Sequence, residues 1–406
     1  MNEKEIIEKL EKGKLGLRSL DKHLSPKDAT DVRRKFVAKK TGASLENTSN
    51  YSFDIETATK KNIENMVGAT HVPLGVAGPL MIDGDFAKGD FYIPLATTEG
   101  ALVASVSRGC RAITNAGGAK VFAENKGMTR APVFKVSGIE EGRKLVRWVE
   151  KNFLRIKKVA ESTTHFGELK KIHPWISGKN VYLRFVFDTK DAMGMNMAVV
   201  ACDKVVVELI EKETKAKCIA LSGNMCVDKK PSFMNFIKGR GKRVHAEAII
   251  KRKVVEKMLK AKPEEIVEVN YRKNMIGSAM AGSMGFNAHF ANMVAALYIA
   301  TGQDPAHAVG GSMGMTTVEL EGKDLYISVY LPNVNSGTVG GGTGLATQKE
   351  ALEMLGVFGA GKTPGDNAMK LAEIVGATVL AGELSVLGAL ATGDLARAHV
   401  ALGRGK

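Results

Sequence analysis

Cysteine and aromatic residues are scarce in this 406-residue chain, and none of its four cysteines stands in a metal-binding spacing. The chain has no CxxC pair, no HExxH motif and no cluster of cysteine and histidine. These absences argue against a disulfide framework and a structural zinc site, so we expect no metal ion. Aromatic residues make up only 6% of the chain. They do not alternate with basic residues as they would along a nucleic-acid-binding surface.

The sequence also lacks an export signal at its start. The opening residues, MNEKEIIEKL, are charged and helical in pattern, without the apolar core of a signal peptide. The stretch from Asn274 to Asp304 carries no charge before its last residue, and its length would suit a membrane span. However, Asn287, His289 and Asn292 interrupt it. We therefore expect a cytoplasmic protein that does not enter a membrane.

Acidic residues are fewer than lysine and arginine residues, which gives the chain a formal charge of +15. Such an excess favours an anionic partner. Because the basic residues are spread along the chain and form no basic helix, we expect no nucleic acid partner. A small polyanion, such as a coenzyme with several phosphates, remains one interpretation. Adaptation to a salty or hot cytoplasm remains another.

The length of the chain exceeds that of a single hydrophobic core, which predicts several domains. We predict an α+β fold in which a large domain is built around a long central helix, Met284 to Ala300. On this helix His289 and Asn292 share one stripe, and buried polar groups need partners from the protein or from a ligand. The predicted regions are a helical N-terminal region (1–48), the first part of the large domain (49–131), an inserted small domain (132–222) and the second part of the large domain (223–406), with a flap-like tail (393–406).

The small domain shows an alternation of strand and helix patterns. Its segments read β-α-β-β-β-α-β, close to a ferredoxin-like split βαβ unit with one added strand. One of the predicted strands is residues 155–163, RIKKVAEST.

Glycine-rich segments offer two candidates for phosphate binding. Residues 356–363, GVFGAGKT, match the P-loop spacing, but an amphipathic helix precedes them and Pro364 follows them, so we predict a loop between two helices. Residues 191–196, DAMGMN, lie between a strand and a helix, where a glycine lets a phosphate approach the helix N-terminus. An ordinary turn explains the second segment equally well.

Isolated charged residues are weak signals of function by themselves. Glu99 is predicted in the first turn of a helix, where the helix dipole alone favours an acidic residue. Lys229 and Lys230 lie in a loop that ends in proline, where solvated lysines are common. His399 lies near the C-terminus, where a surface position is the simplest interpretation.

Taken together and in order, these segments resemble the HMG-CoA reductase family. The resemblance extends from Glu64 to Arg404, and Met195 is similar to the class I form, whereas class II members have alanine there. The segments that carry it are ENMVG, PLGVAGPL, TTEGALVASVSRGCRAI, DAMGMN, SGNMCVDKKPS, GSAMAGSMG with NAHFAN, GQDP, VGGGTG, AGELS and LARAHVALGR.

This resemblance implies a four-electron reductive deacylation of HMG-CoA to mevalonate and CoA, using two NADPH, in the mevalonate pathway of isoprenoid synthesis. By resemblance, Lys229 is the cation beside the carbonyl oxygen and Glu99 is the proton donor at the aldehyde stage. Asp304 is the carboxylate that keeps a proton on Glu99. His399 protonates the CoA thiolate, and its place near the C-terminus implies a flap that closes over the substrate.

The resemblance also implies the binding sites and the assembly. The expected substrate-binding residues are Arg130, Ser222, Asp228, Lys230, His289 and Asn292. The expected NADPH-binding residues are Asp191, Met193, Gly194, Met195, Asn196, Gly341, Gly342 and Arg404. The family forms homodimers with shared active sites, so we expect a dimer or a tetramer whose monomer is inactive.

Three departures from the family pattern are visible. No segment resembles the membrane anchor of animal members, which implies a soluble microbial-type enzyme. Gly405 stands where animal members have a regulatory serine. His165 stands where the family has an arginine near the 2′-phosphate of the cofactor.

Two other classes of function remain as alternatives. A basic nucleic-acid-binding protein would show salt-sensitive affinity for polynucleotides. A CoA-binding relative without catalysis would most simply have lost one of Glu99, Lys229, Asp304 or His399, and all four are present.

Overall fold

The structure is a computed structural model that describes residues 3–393, so His399 and Arg404 lie outside the described residues. The α-helices are α1 (Glu3–Glu11), α2 (Pro26–Thr41), α3 (Ile55–Lys61), α4 (Leu102–Asn115), α5 (Ile139–Lys151), α6 (Phe153–Glu161), α7 (Met195–Val205), α8 (Glu211–Glu213), α9 (Phe233–Lys238), α10 (Arg252–Val254), α11 (Pro263–Val269), α12 (Ser278–Met280), α13 (Phe290–Ala300), α14 (Ala308–Gly311), α15 (Ala346–Met354) and α16 (Asp366–Ala391). The strands are β1 (Leu74–Gly84), β2 (Lys88–Ala96), β3 (Ala119–Arg130), β4 (Val133–Lys135), β5 (Glu168–Ser177), β6 (Asn180–Asp188), β7 (Lys217–Ala220), β8 (Gly241–Ile250), β9 (Gly285–Phe286), β10 (Gly314–Glu321) and β11 (Asp324–Val334).

The N-terminal region is helical, as the sequence predicts. Ser25 caps α2 by accepting a hydrogen bond from the Asp28 N–H, and Gly42 ends the helix in a left-handed conformation. Ile6 and Leu10 of α1 bury their side chains against α2 in a small separate core. This arrangement gives the region its own apolar cluster beside the larger core.

The small sheet has the strand order of a ferredoxin-like unit. Its strands lie in the order β7-β4-β6-β5, and all neighbours are antiparallel. Numbered from β4 along the chain, this is the order 4-1-3-2 of a split βαβ unit.

One predicted strand of this unit is wrong. Residues 155–163 lie mostly in α6, where Ile156 and Ala160 are fully buried and stand four residues apart. The segment is a helix because these apolar residues share one helical face, although its sequence also alternates as a strand would. The unit has no added strand, since the remaining strands complete the ferredoxin-like order.

The larger sheet joins the small one through a single strand. β3 pairs with β1 in parallel and with β8 in antiparallel orientation, and its last residues pair with β6 of the small sheet. Beyond β8 the order continues through β11 and β10 to β9. Arg130, at the end of β3, therefore lies where the two sheets meet.

The central helix of the large core is α16 and not the predicted segment, so that prediction is wrong. α16 has 26 residues, which corresponds to about 39 Å, and it packs against β3, β8, β11 and α4. It is long and apolar enough to cross a membrane, yet 83% of its most apolar window is buried inside the protein. Such burial is typical of a helix in a protein core.

The segment predicted as the central helix forms a shorter helix, α13, that begins only at Phe290. Asn287 explains the late start, because its side-chain oxygen accepts a hydrogen bond from the Phe290 N–H. Its amide group meanwhile donates to the Ser312 carbonyl oxygen. These bonds hold the preceding residues in an extended conformation beside β10.

Candidate active site

The loop between β7 and α9 carries four of the predicted site residues and has an unusual backbone. Asn224, Val227 and Lys229 adopt positive φ angles of 64°, 50° and 54°. Such conformations cost about 1–3 kcal/mol each for non-glycine residues and cluster at functional sites. Two hydrogen bonds hold the loop, since Asn235 donates to the Val227 carbonyl oxygen and Thr129 donates to the Cys226 carbonyl oxygen.

Lys229 and Asp304 form an ion pair across this loop. The Lys229 Nζ lies 2.7 Å from Asp304 Oδ2. Asp304 also caps the short 3-10 turn Pro305–His307 by accepting a hydrogen bond from the Ala306 N–H. Burial acts to raise the pKa of Asp304, but the hydrogen bonds from Lys229 and Ala306 outweigh it and hold that pKa below its usual value. The carboxylate is therefore ionised at neutral pH and keeps the ammonium group of Lys229 in place.

Asp228 holds two guanidinium groups beneath the same loop. Its carboxylate lies 2.9 Å from Arg240 and 4.0 Å from Arg130. Within residues 3–393, the buried Arg130 Nε and Arg240 Nη1 have no hydrogen-bond partner. Arg240 is fully buried, whereas the Arg130 side chain is 11% exposed, so Arg130 is the guanidinium group of this pair that a ligand carboxylate can reach.

The other predicted substrate-binding residues of the loop lie close by. The Lys230 Nζ is 3.5 Å from the Asp228 carbonyl oxygen, and the Ser222 Oγ is 3.3 Å from the Cys226 Sγ. The structure thus brings Arg130, Ser222, Asp228 and Lys230 into one region next to Lys229.

Glu99 lies in the turn before α4, so its predicted place in the first turn of a helix is wrong. Ala101 has a φ of 71°, and the helix begins only at Leu102. The Asn292 amide group donates to Glu99 Oε1 at 3.2 Å and lies 3.5 Å from His289 Nδ1. The polar stripe predicted for α13 therefore finds one of its partners in Glu99.

A buried glutamate of α16 positions this stripe. Glu383 accepts hydrogen bonds from the Ala288 and His289 N–H groups and from the Thr316 hydroxyl. The His289 Nε2 lies 3.0 Å from the Gly382 carbonyl oxygen. The start of α13 is therefore fixed to the core helix at several points.

Two cavities meet at Ile299, and they contain different parts of the predicted site. A cavity of about 610 Å³ is lined by Glu99 and Asn292, and one of about 710 Å³ is lined by Asp304. Ile299 lines both. Asn292 and Ala300 stand eight positions apart on α13, or about 12 Å along its axis. Among the described residues, no hydrogen bond or ion pair joins Glu99 to the Lys229–Asp304 pair.

The larger cavity brings together most of the predicted cofactor residues. Gly194, with a φ of 87°, precedes the first turn of α7. The facing glycine loop is bonded to the end of α3 by Asn62, which donates to the Gly341 carbonyl oxygen. Free N–H groups at the start of a helix and a loop without side chains suit the phosphates of a dinucleotide. The predicted residues that line this cavity are Met193, Gly194, Met195, Asn196, Gly341 and Gly342.

Asp191 has a different environment from these residues. Its carboxylate accepts hydrogen bonds from the N–H groups of Gly361, Gly365 and Ala368, at the start of α16. Asp191 therefore ties the turn before α7 to the core helix, and a contact with a cofactor stays a prediction. The P-loop-like residues 356–363 form a loop between α15 and α16, as predicted.

Sequence reasoning missed Arg240, His307 and Glu383. Arg240 is buried and links Asp228 to Met195, whose sulfur accepts one of its N–H groups at 2.8 Å. Glu383 has a visible signal, since an acidic residue inside an apolar helix needs partners. Arg240 and His307 have no local signal, because their burial depends on distant segments. His399 and Arg404 lie outside the described residues, so their predicted roles are not tested by the geometry.

Comparisons with known proteins all point to one family. A family model described as hydroxymethylglutaryl-coenzyme A reductase matches residues 29–404. The chain is 56% identical to 3-hydroxy-3-methylglutaryl-coenzyme A reductase of Methanocaldococcus jannaschii, across 99% of this chain and 100% of the relative. It is 52% identical to the enzyme of the same name from Pyrococcus abyssi, across 100% of both chains. The class II enzyme of Streptococcus pneumoniae, solved with NADPH bound, shares the fold with a TM-score of 0.66 and 18% identity, over 96% of this chain and 97% of that chain.

Proposed function

Because the chain belongs to the hydroxymethylglutaryl-coenzyme A reductase family, it reduces HMG-CoA to mevalonate, and we propose that Lys229, Asp304 and Glu99 perform the chemistry. The reaction is a four-electron reduction of a thioester to a primary alcohol, in the mevalonate pathway. NADPH supplies a hydride in each of the two reductions. The chain's own residues must bind the substrate, stabilise an oxyanion twice and move protons.

The ion pair of Lys229 and Asp304 is the observation that carries this assignment. Lys229 lies on a strained loop between the arginine-rich pocket around Asp228 and the cavity lined by Asp304. An ammonium group at this place stabilises negative charge that develops on the carbonyl oxygen. Asp304 holds the Lys229 side chain in position before the substrate arrives.

The pocket beside Lys229 binds the free carboxylate of the HMG group. Arg130 supplies a guanidinium group that is partly exposed, and Lys230 adds a flexible cation at the rim. Ser222 and Asp228 complete the pocket, and Asp228 keeps the guanidinium groups correctly oriented. Anchoring the carboxylate places the thioester at Lys229.

We propose that Glu99 acts in a site shared between two subunits. Within one chain Glu99 and the Lys229–Asp304 pair lie at opposite ends of α13 and line different cavities. Glu99 of one subunit therefore donates its proton beside Lys229 of the partner. The smallest active form is a homodimer, which a tetramer would contain twice.

Three further assignments rest on other features of the chain. Met195 supports membership of class I, since class II members have alanine at that place. The burial of α16, the helix among residues 3–393 that is long and apolar enough to cross a membrane, supports a cytoplasmic location. The separate apolar cluster around Phe134 and Leu145 supports an inserted small domain at 132–222.

Consumption of NADPH by the purified chain tests this function. With HMG-CoA present, the absorbance of reduced nicotinamide should fall, and two NADPH should be oxidised for each mevalonate formed. Polynucleotide affinity without NADPH oxidation would favour a nucleic-acid-binding protein. CoA binding without oxidation would favour a relative that has lost catalysis.

Replacing His399 with glutamine should separate the two reductions. We expect a loss of about 10²-fold or more in the rate with HMG-CoA, because the CoA thiolate loses its proton donor. The rate with mevaldehyde, which has no thiolate to release, should change much less. Steady-state rates with both substrates check this, and equal losses would show that His399 has another role.

A further inference from the structure

His307 is a buried histidine that the proposed mechanism does not use. It follows Asp304 by three residues, and its side chain is only 1% exposed. Its Nε2 lies 3.8 Å from Asp228 Oδ1 and 3.9 Å from Asp304 Oδ2. Among the described residues, neither ring nitrogen has a hydrogen-bond partner. One N–H group therefore faces the carboxylate of the substrate pocket and the carboxylate that holds Lys229.

The charges around His307 keep its ring neutral. Burial, together with the positive charges of Arg240 and Lys229, lowers its pKa to about 4 against the opposing negative charges of Asp228 and Asp304. A neutral imidazole has one N–H group. Since Nε2 faces both carboxylates, the favoured tautomer carries its hydrogen on Nε2.

Asp304 needs another hydrogen-bond donor while Lys229 stabilises the substrate oxyanion. In the free protein the Lys229 ammonium group lies 2.7 Å from Asp304. When negative charge develops on the substrate oxygen, that ammonium group turns towards it, and the carboxylate loses part of its hydrogen bonding. Oδ1 keeps the hydrogen bond from the Ala306 N–H, but Oδ2 is then left without a donor, which is costly for a carboxylate that is only 33% exposed. The N–H group of His307 is near enough to approach Asp304 after a small movement.

We propose that His307 is a positioning residue that supports Asp304 while Lys229 binds the oxyanion. It also sets the spacing between Asp304 and Asp228, which keeps the oxyanion site at a fixed distance from the carboxylate pocket. The inference rests on the proposed function, because it assigns His307 a role only if Lys229 and Asp304 are catalytic.

Two substitutions test this role. His307→Leu has a similar volume and no N–H group, and it should lower kcat for both HMG-CoA and mevaldehyde about tenfold or more. The KM for NADPH should stay the same, since His307 does not line the cofactor cavity. His307→Gln presents an amide N–H group at a similar reach, and it should retain kcat within about threefold.

The pH profile separates positioning from simple packing. Without the donor, the pKa of Asp304 rises, so the acidic limb of kcat in His307→Leu should move to higher pH. The limb of His307→Gln should stay in place. If the leucine variant does not fold, His307→Asn takes its place. The asparagine amide is too short to reach both carboxylates, so the acidic limb of kcat in His307→Asn should also move to higher pH.

Three results would overturn the inference. These are a leucine or asparagine variant with wild-type kcat, an acidic limb that does not move, and a glutamine variant as impaired as the leucine one. A wild-type chain that does not oxidise NADPH in the presence of HMG-CoA would instead overturn the proposed function. The two failures are therefore distinguishable.

Discussion

Replacing Lys229 with alanine should lower kcat/KM for HMG-CoA by roughly 10³-fold, the largest effect that we expect from one substitution. The ammonium group is the proposed cation beside the reacting oxygen, and the same oxyanion forms when mevaldehyde is reduced. Both reductions should therefore be lost together. The KM for NADPH should change little, because Lys229 does not line the cofactor cavity. Steady-state rates with both substrates provide the measurement.

An exposed lysine provides the matched control for this experiment. Lys12, which directly follows α1, pairs with Glu8 on the protein surface, where such pairs contribute little to stability. Lys12→Ala removes the same charge from the chain and should leave both rates unchanged. Substantial reduction of mevaldehyde by the Lys229 variant would refute the oxyanion role.

Replacing Glu99 with glutamine should lower kcat about 10²–10⁴-fold while the fold stays intact. Glutamine keeps the side-chain oxygen that accepts the hydrogen bond from Asn292, so the turn before α4 should not move. It cannot supply the carboxylic proton that the aldehyde oxygen requires. We expect the KM for HMG-CoA to stay near the wild-type value, because Glu99 is not part of the carboxylate pocket.

The Tm of the Glu99→Gln variant should be measured together with its kcat. An unchanged Tm with a large loss of kcat would assign Glu99 to proton transfer. A variant that keeps most of its kcat would show that another group supplies the proton. A lowered Tm would instead mean that the contact with Asn292 stabilises the fold.

Local patterns predicted much of the architecture. The ferredoxin-like unit followed from alternation in β5 and β6 and from the amphipathic helices α5 and α7, which depend only on neighbouring residues. The helix α6 was mistaken for a strand because a short segment satisfies both patterns. The start of α13 was placed too early, since the capping role of Asn287 depends on a contact with Ser312, which lies far along the chain.

Only part of the site could be predicted, because some of its contacts join segments that are far apart in the sequence. Lys229 and Asp304 belong to sequence motifs that resemble the family, and the structure places them in contact. Asp191 belongs to another such motif, yet its carboxylate bonds to the start of α16, which its own segment does not reveal. His307 becomes noticeable only when its burial between two carboxylates is known. Tertiary contacts, and not residue type, decide these roles.

The central claim is that Glu99 of one subunit acts on substrate held by Lys229 of its partner. A heterodimer of Glu99→Gln and Lys229→Ala subunits, purified with a different tag on each, tests it most directly. If the site is shared, one of its two sites has both mutations and the other has neither, so the heterodimer should regain about half of the wild-type activity although each parent dimer is inactive. A heterodimer as inactive as its parents would show that Glu99 and Lys229 must come from the same chain.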